Sequence, residues 1–247
     1  MEYFLLPLIA FLAFLLKAMT GFGPAIIVIA FCSLFIAPHK VIAMSAVLDA
    51  VAGGILLRTD WSRGGFRFWG PLAVAIVLGA VIGGIFLNMI PPSYFRLLLG
   101  TAIFLLGLWF LIGRPDRAED RLLNALPDQS SRADVSVSLL GGVCGGLFGI
   151  SGPPIIWHFG RRFAKRAFRQ ILVPIFLAAA LARIITYASL GIMDRQVLYY
   201  VLISIPGLLP GIYFGNKIFS SASEMTFRRI AGAVLLLIAA QQVISFF

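Results

Sequence analysis

The chain is a succession of long apolar runs joined by short polar stretches, and this alternation persists along nearly its whole length. A helix that crosses a bilayer needs about 20 predominantly apolar residues. Six runs predict full spans: 41–57, 68–90, 94–112, 168–190, 197–218 and 230–247. Two others differ. Residues 3–37 are too long for one span and are interrupted by Thr20-Gly21-Phe22-Gly23-Pro24. Residues 135–160 are interrupted by Phe148-Gly149-Ile150-Ser151-Gly152-Pro153-Pro154. Glycine frees the backbone and proline removes a donor, so each cluster predicts a broken helix. The one extended polar stretch, 114–134, is rich in Arg, Asp, Ser and Pro and reads as a linker. The first run has no basic residue ahead of it (Glu2 is acidic) and no small-residue cleavage site after it, so it reads as part of the mature protein.

The pattern occurs twice. Gly23-Pro24-Ala25-Ile26-Ile27 matches Gly152-Pro153-Pro154-Ile155-Ile156. Gly79, Gly83, Phe86 and Asn88 match Gly207, Gly211, Phe214 and Asn216, and Phe95, Arg96 and Gly100 match Phe227, Arg228 and Gly232. The expected organisation is a first membrane repeat over 1–113, a polar cytoplasmic linker over 114–134 and a second membrane repeat over 135–247. Each repeat is one broken segment plus three transmembrane helices. Internal duplication of this kind is common in transporters.

Charge sets the expected orientation. If every segment crosses, the loop Lys and Arg residues split 8 against 10, which is no bias. If 135–160 enters and returns instead, one side collects 15: Arg58, Arg63 and Arg67; Arg114, Arg117, Arg121 and Arg132; Arg161, Arg162, Lys165, Arg166 and Arg169; Lys217, Arg228 and Arg229. The other side keeps 3, namely Lys40, Arg96 and Arg195. The positive-inside rule expects the second arrangement. The second broken segment is therefore expected to be re-entrant from the cytoplasm, and by the repeat the first from outside. With three crossings each, the halves are inverted.

Composition agrees with a polytopic all-α membrane protein: 60% of residues are hydrophobic and 12% charged, with mean hydropathy +0.99. Soluble domains carry about 25% charged residues. A soluble enzyme, a nucleic-acid-binding domain and a secreted disulfide scaffold are excluded. The net charge of +10 lies in the joints, where it anchors the protein rather than binding nucleic acid. Cys32 and Cys144 both lie in apolar segments and suggest no disulfide framework.

Three constellations carry possible chemistry. In each break, small residues precede a proline and then an apolar helical run, and proline is pre-organised for a helix start. Thr20 and Ser151 could cap these starts. Two half-helix N-termini would then face a cavity, and such termini hold anions through free N–H groups and the helix dipole. The expected substrate contacts are Thr20, Gly21, Phe22, Gly23, Pro24 and Ala25 at the first break, and Gly149, Ser151, Gly152 and Pro153 at the second. The alternative is a pair of proline-kinked helices that only pack.

The second constellation is ionisable groups inside apolar segments: Asp49, Arg183, Lys17 and His158. Such groups are expensive in lipid and face the protein interior. Arg183 and Lys17 could bind an oxyanion, Arg183 through its fork, while Asp49 could carry a coupling proton. An Asp49–Arg183 ion pair that only fastens helices is the competing reading, and His158 could be a polar residue at the interface. Trp157 and Tyr187, with Phe22 and Phe148, could sort the tail of a substrate. The third constellation is glycine at four-residue spacing (Gly79 and Gly83; Gly141, Gly145 and Gly149; Gly207, Gly211 and Gly215), which permits close helix approach and carries no chemistry. No catalytic motif, metal-ligand cluster or cofactor signature is present, so no catalytic residue, metal or cofactor is expected.

The repeated break, KAMTGFGPAIIVIAF and GGVCGGLFGISGPPIIWHFG, resembles the sulfite exporter TauE/SafE family, also called TSUP, and the likeness extends over the two halves and the polar linker. The resemblance implies a multi-pass protein of the inner membrane that transports a small sulfur-containing anion: sulfite, a sulfonate, sulfoacetate or a related oxyanion. Its partners would be that anion, the lipid bilayer and a coupling proton or cation. A passive anion channel, or a transporter of another small organic anion, would have much the same sequence.

Overall fold

A computed structural model describes residues 4–20, 24–60, 65–112, 127–160, 162–163 and 165–218. Every regular element among them is a helix: α1 (Leu5–Thr20), α2 (Pro24–Cys32), α3 (Pro38–Asp60), α4 (Phe66–Met89), α5 (Pro92–Ile112), α6 (Arg132–Phe148), α7 (Gly152–Phe159), α8 (Lys165–Ser189) and α9 (Arg195–Ile218). Within α3, α4, α8 and α9, apolar stretches of 21, 24, 23 and 23 residues are long enough to cross a bilayer. The chain is an all-α polytopic membrane protein.

The expected spans at 41–57, 68–90, 94–112, 168–190 and 197–218 are α3, α4, α5, α8 and α9, and the run 230–247 lies outside the described residues. Each of these helices starts two or three residues before its apolar run. First-turn N–H groups need no intrahelical partner, so Pro38 and Pro92 fit there, and Lys165 and Arg195 extend the helix with polar residues. Likewise α6 begins at Arg132, inside the stretch expected as linker. Ser131 accepts from the Asp134 backbone N–H (3.2 Å) while the Asp134 carboxylate accepts from Ser131 N–H (2.8 Å), and this reciprocal cap fixes the start.

Glycine decides the packing. Gly79 and Gly83 on α4 face the backbone of Leu139, Val143 and Leu147 on α6. Gly207, Gly211 and Gly215 on α9 face Pro7, Phe11 and Leu15 on α1. Residue numbers rise together in both pairs, so the paired helices run parallel. At each of these glycines a Cβ would run into a backbone carbonyl of the partner helix. Lipid tails are as apolar as leucine, so association depends on such close contact. Between these two pairs, α3 packs against α8.

The α6–α7 unit doubles back on itself. Gly145 faces Ser151 and Gly141 faces Ile155, so numbers fall along α6 as they rise along α7. Further along, His158 Nε2 lies 2.6 Å from Asp134 Oδ1, and Arg162 bonds the same oxygen. Both ends of the unit therefore meet at one end of the bundle. Phe68, near the start of α4, joins them there through edge contacts with Phe159 and Phe163. At the start of α3, Lys40 donates to Asp194 (2.7 Å) in the turn between α8 and α9 and to Gln196 (2.6 Å) in the first turn of α9.

Candidate functional site

The two breaks meet. The first turn of α2 (Pro24, Ala25 and Ile26) and the junction before α7 (Gly149 to Gly152) line one small cavity that is partly open on one side. α1 contributes Lys17 to its wall, α3 Asp49, and α8 Phe176 and Arg183.

Local sequence explains the junction. Gly149 ends α6 with φ 75°, a left-handed conformation that favours glycine, and its N–H donates to Gly145 O at 2.8 Å. A Cβ there would also strike the Ile29 side chain. The chain then restarts as α7, with prolines in its first turn. Ser151 occupies the N-cap position but makes no side-chain cap hydrogen bond, contrary to the capping role expected for it. Thr20 is the last residue of α1 and so does not sit at the start of α2. The prolines also limit the expected anion donors: Pro24, Pro153 and Pro154 have no N–H, which leaves Gly152 and Ile155 at α7 and Ala25 and Ile26 at α2.

Charge fills the gap. Asp49 lies between two cations, with Lys17 Nζ 2.8 Å from Oδ1 and Arg183 Nη2 2.8 Å from Oδ2. Lys17 also approaches the Asp49 carbonyl at 3.4 Å, and Arg183 Nη1 donates to Gly149 O at 3.1 Å. All three side chains are buried, at 4%, 8% and 3% exposure for Lys17, Asp49 and Arg183. Two cations and one carboxylate give the cluster a formal charge of +1, beside two helix starts that add partial positive charge. Arg183 Nε is buried and has no hydrogen-bond partner among the described residues. The Asp49–Arg183 ion pair weighed in the sequence is present, extended by Lys17.

Of the expected site residues, Pro24, Ala25, Gly149, Ser151, Gly152, Asp49 and Arg183 line the cavity, and Pro153 follows inside α7. Gly21, Phe22 and Gly23 lie outside the described residues. Trp157 is not in the cavity wall and is 52% exposed. Tyr187 is fully buried one turn beyond Arg183, where its hydroxyl donates to Gly146 O at 2.6 Å and ties α8 to α6. Phe148 stacks on Phe95 at 6.2 Å rather than lining the cavity. Phe176 lines it without having been singled out, because one phenylalanine in an apolar run carries no signal. The partnership of His158 and Arg162 with buried Asp134 was also missed, since Asp134 read as the end of the linker. Among the described residues, no group of three or more His, Cys, Asp or Glu could hold a metal ion.

Comparison with known proteins gives one family. The profile of the sulfite exporter TauE/SafE family matches residues 6–241. A curated relative, the probable sulfite/organosulfonate exporter TauE of Cupriavidus necator, is 29% identical over 249 residues, covering 94% of this chain and 92% of that protein. No solved structure gives a significant match. Such a family assignment makes this a multi-pass membrane transport protein, in bacteria one of the inner membrane, and not an enzyme. With the match spanning nearly its full length, the chain belongs to the sulfite exporter TauE/SafE family.

Proposed function

We propose that the protein is an ion-coupled secondary transporter that moves a small sulfur-containing oxyanion across the membrane, held in the cavity where the starts of α2 and α7 converge. The observation that carries this reading is that convergence: two helix starts, Lys17 and Arg183 all border one space. The unpartnered Nε of Arg183 and the remaining N–H groups of Gly152, Ile155, Ala25 and Ile26 would bind the oxygens, with Phe176 beside them. Asp49, bonded to both cations, is assigned to ion coupling. Sulfite or an organosulfonate is the substrate class, supported by the relative from Cupriavidus necator and by a site of net positive charge.

The partner exchange between halves supports inverted repeats. α4 of the first half lies parallel to α6 of the second, and α9 of the second parallel to α1 of the first. The returning α6–α7 unit supports a re-entrant segment that opens from the cytoplasm. Liposomes loaded with sulfite or an organosulfonate test the function. Under an imposed proton gradient, transport against the anion's own gradient is expected, and it should be lost in Gly152→Val. Purely downhill flux would assign a channel, and full transport by Gly152→Val would remove the anion from this cavity.

A further inference from the structure

We infer that the Asp49 carboxylate is a resident counter-anion that the transported anion displaces, so that each anion enters the cavity together with one proton. This rests on the anion site proposed above and adds the identity and number of the coupling ion. Donor supply leads to it. Proline removes three of the first-turn N–H groups, so the backbone alone offers an anion little, and the strong donors are Lys17 and Arg183. Both are bonded to Asp49, at 2.8 Å each. Arg183 Nε is the one buried side-chain nitrogen with no partner among the described residues, and it offers an incoming oxygen its first contact.

An oxyanion that enters through Nε then competes with Asp49 for Lys17 and Arg183, the two cations that hold the carboxylate. Two anions would then share one small buried space, and like charges so placed drive one of them to take up a proton. A buried carboxylate stripped of its cationic partners has the same tendency. The exchange balances: the carboxylate and a proton from water become a carboxylic acid, the anion takes the bonds to Lys17 and Arg183, and the cluster stays at +1 when the anion is a monoanion. Release reverses each step. No other charged side chain intervenes among the described residues lining the cavity. α2 offers none, and His158, beyond the cavity on α7, is paired with Asp134. α9 faces α3 with Ser204, which is uncharged.

The test uses the full-length protein in nanodiscs and methanesulfonate, a monoanion from pH 5 to 9. Calorimetric titrations in buffers of different ionisation enthalpy should report uptake of about one proton per anion. Affinity should weaken about tenfold for each unit of rising pH. Asp49→Asn should bind with no proton uptake and no pH dependence. Wild-type protein alone decides the matter if that variant does not fold. Binding without proton uptake, lost in Gly152→Val, would overturn the exchange and leave the anion site standing. No binding of methanesulfonate or sulfite at any pH would overturn both.

Discussion

A carboxylate in the middle of a membrane helix is tolerated only with partners in reach, and Asp49 has Lys17 and Arg183. Removing one member of a buried ion pair costs about 3–5 kcal/mol, because the other charge is left uncompensated. Asp49→Ala, which strands both Lys17 and Arg183, is therefore expected to lower stability by that order, whereas Arg183→Ala should abolish transport at a smaller cost because Lys17 still pairs Asp49. Removing all three charges, with Lys17→Met, Asp49→Ala and Arg183→Met, should regain much of the stability and none of the transport, as read by unfolding in detergent and by liposome flux. Outside the membrane, the Lys40 ammonium hydrogen-bonded to Asp194 holds that carboxyl below its usual range. A lowered folded-state value means that the pair stabilises above about pH 4 and loses its effect as the pH falls through the lowered value. Asp194 is well exposed, so screening keeps the effect to about 0.2–1 kcal/mol. Asp194→Asn should thus unfold slightly earlier than wild type at pH 7 and together with it below about pH 3.

Among elements, the parallel pairs α4–α6 and α1–α9 depend on positions that lack a side chain. Gly207→Val would force the Pro7 backbone away and is expected to cost about 1–3 kcal/mol or to prevent folding. Gly54 on α3 faces open space where a methyl group would sit, so Gly54→Ala should fold normally. Yield and monodispersity in detergent compare the two. The glycine spacing was legible as packing because it recurs at one helical turn, whereas the partner helices were not, since four-residue spacing names a face and no neighbour. The second break was legible too: glycine and proline mark Gly149 and Gly152, and the structure ends α6 and starts α7 there. The beginning of α6 was misplaced by three residues because the Ser131–Asp134 cap is polar and resembled the linker it terminates.

For the molecule as a whole, the proposed orientation rests on charge and on the return of α7. Arg162, beyond α7, bonds Asp134 at the start of α6, so the linker end and the α7–α8 loop lie together. Single cysteines at 127–131 and within 161–169 should be protected together from an impermeant thiol reagent applied from outside. Labelling of the second site alone would remove the re-entrant reading.

Class and the two interruptions were determined by the sequence alone. Hydropathy over about 20 residues and the conformational habits of glycine and proline act locally, so they can be read from neighbours along the chain. The ionisable residues were legible as conspicuous for the same reason, since each stands alone in an apolar run. Which of them meet was decided only in three dimensions. Lys17, Asp49 and Arg183 belong to α1, α3 and α8 and come together because α3 packs against both α8 and α9, and α9 in turn against α1. The same holds for the two breaks, which lie 129 residues apart in the chain and border one cavity, and for Tyr187, whose position one turn from Arg183 could not disclose that its hydroxyl would be taken by the backbone of α6. Contact between distant segments is a property of packing, and no periodicity along the chain encodes it.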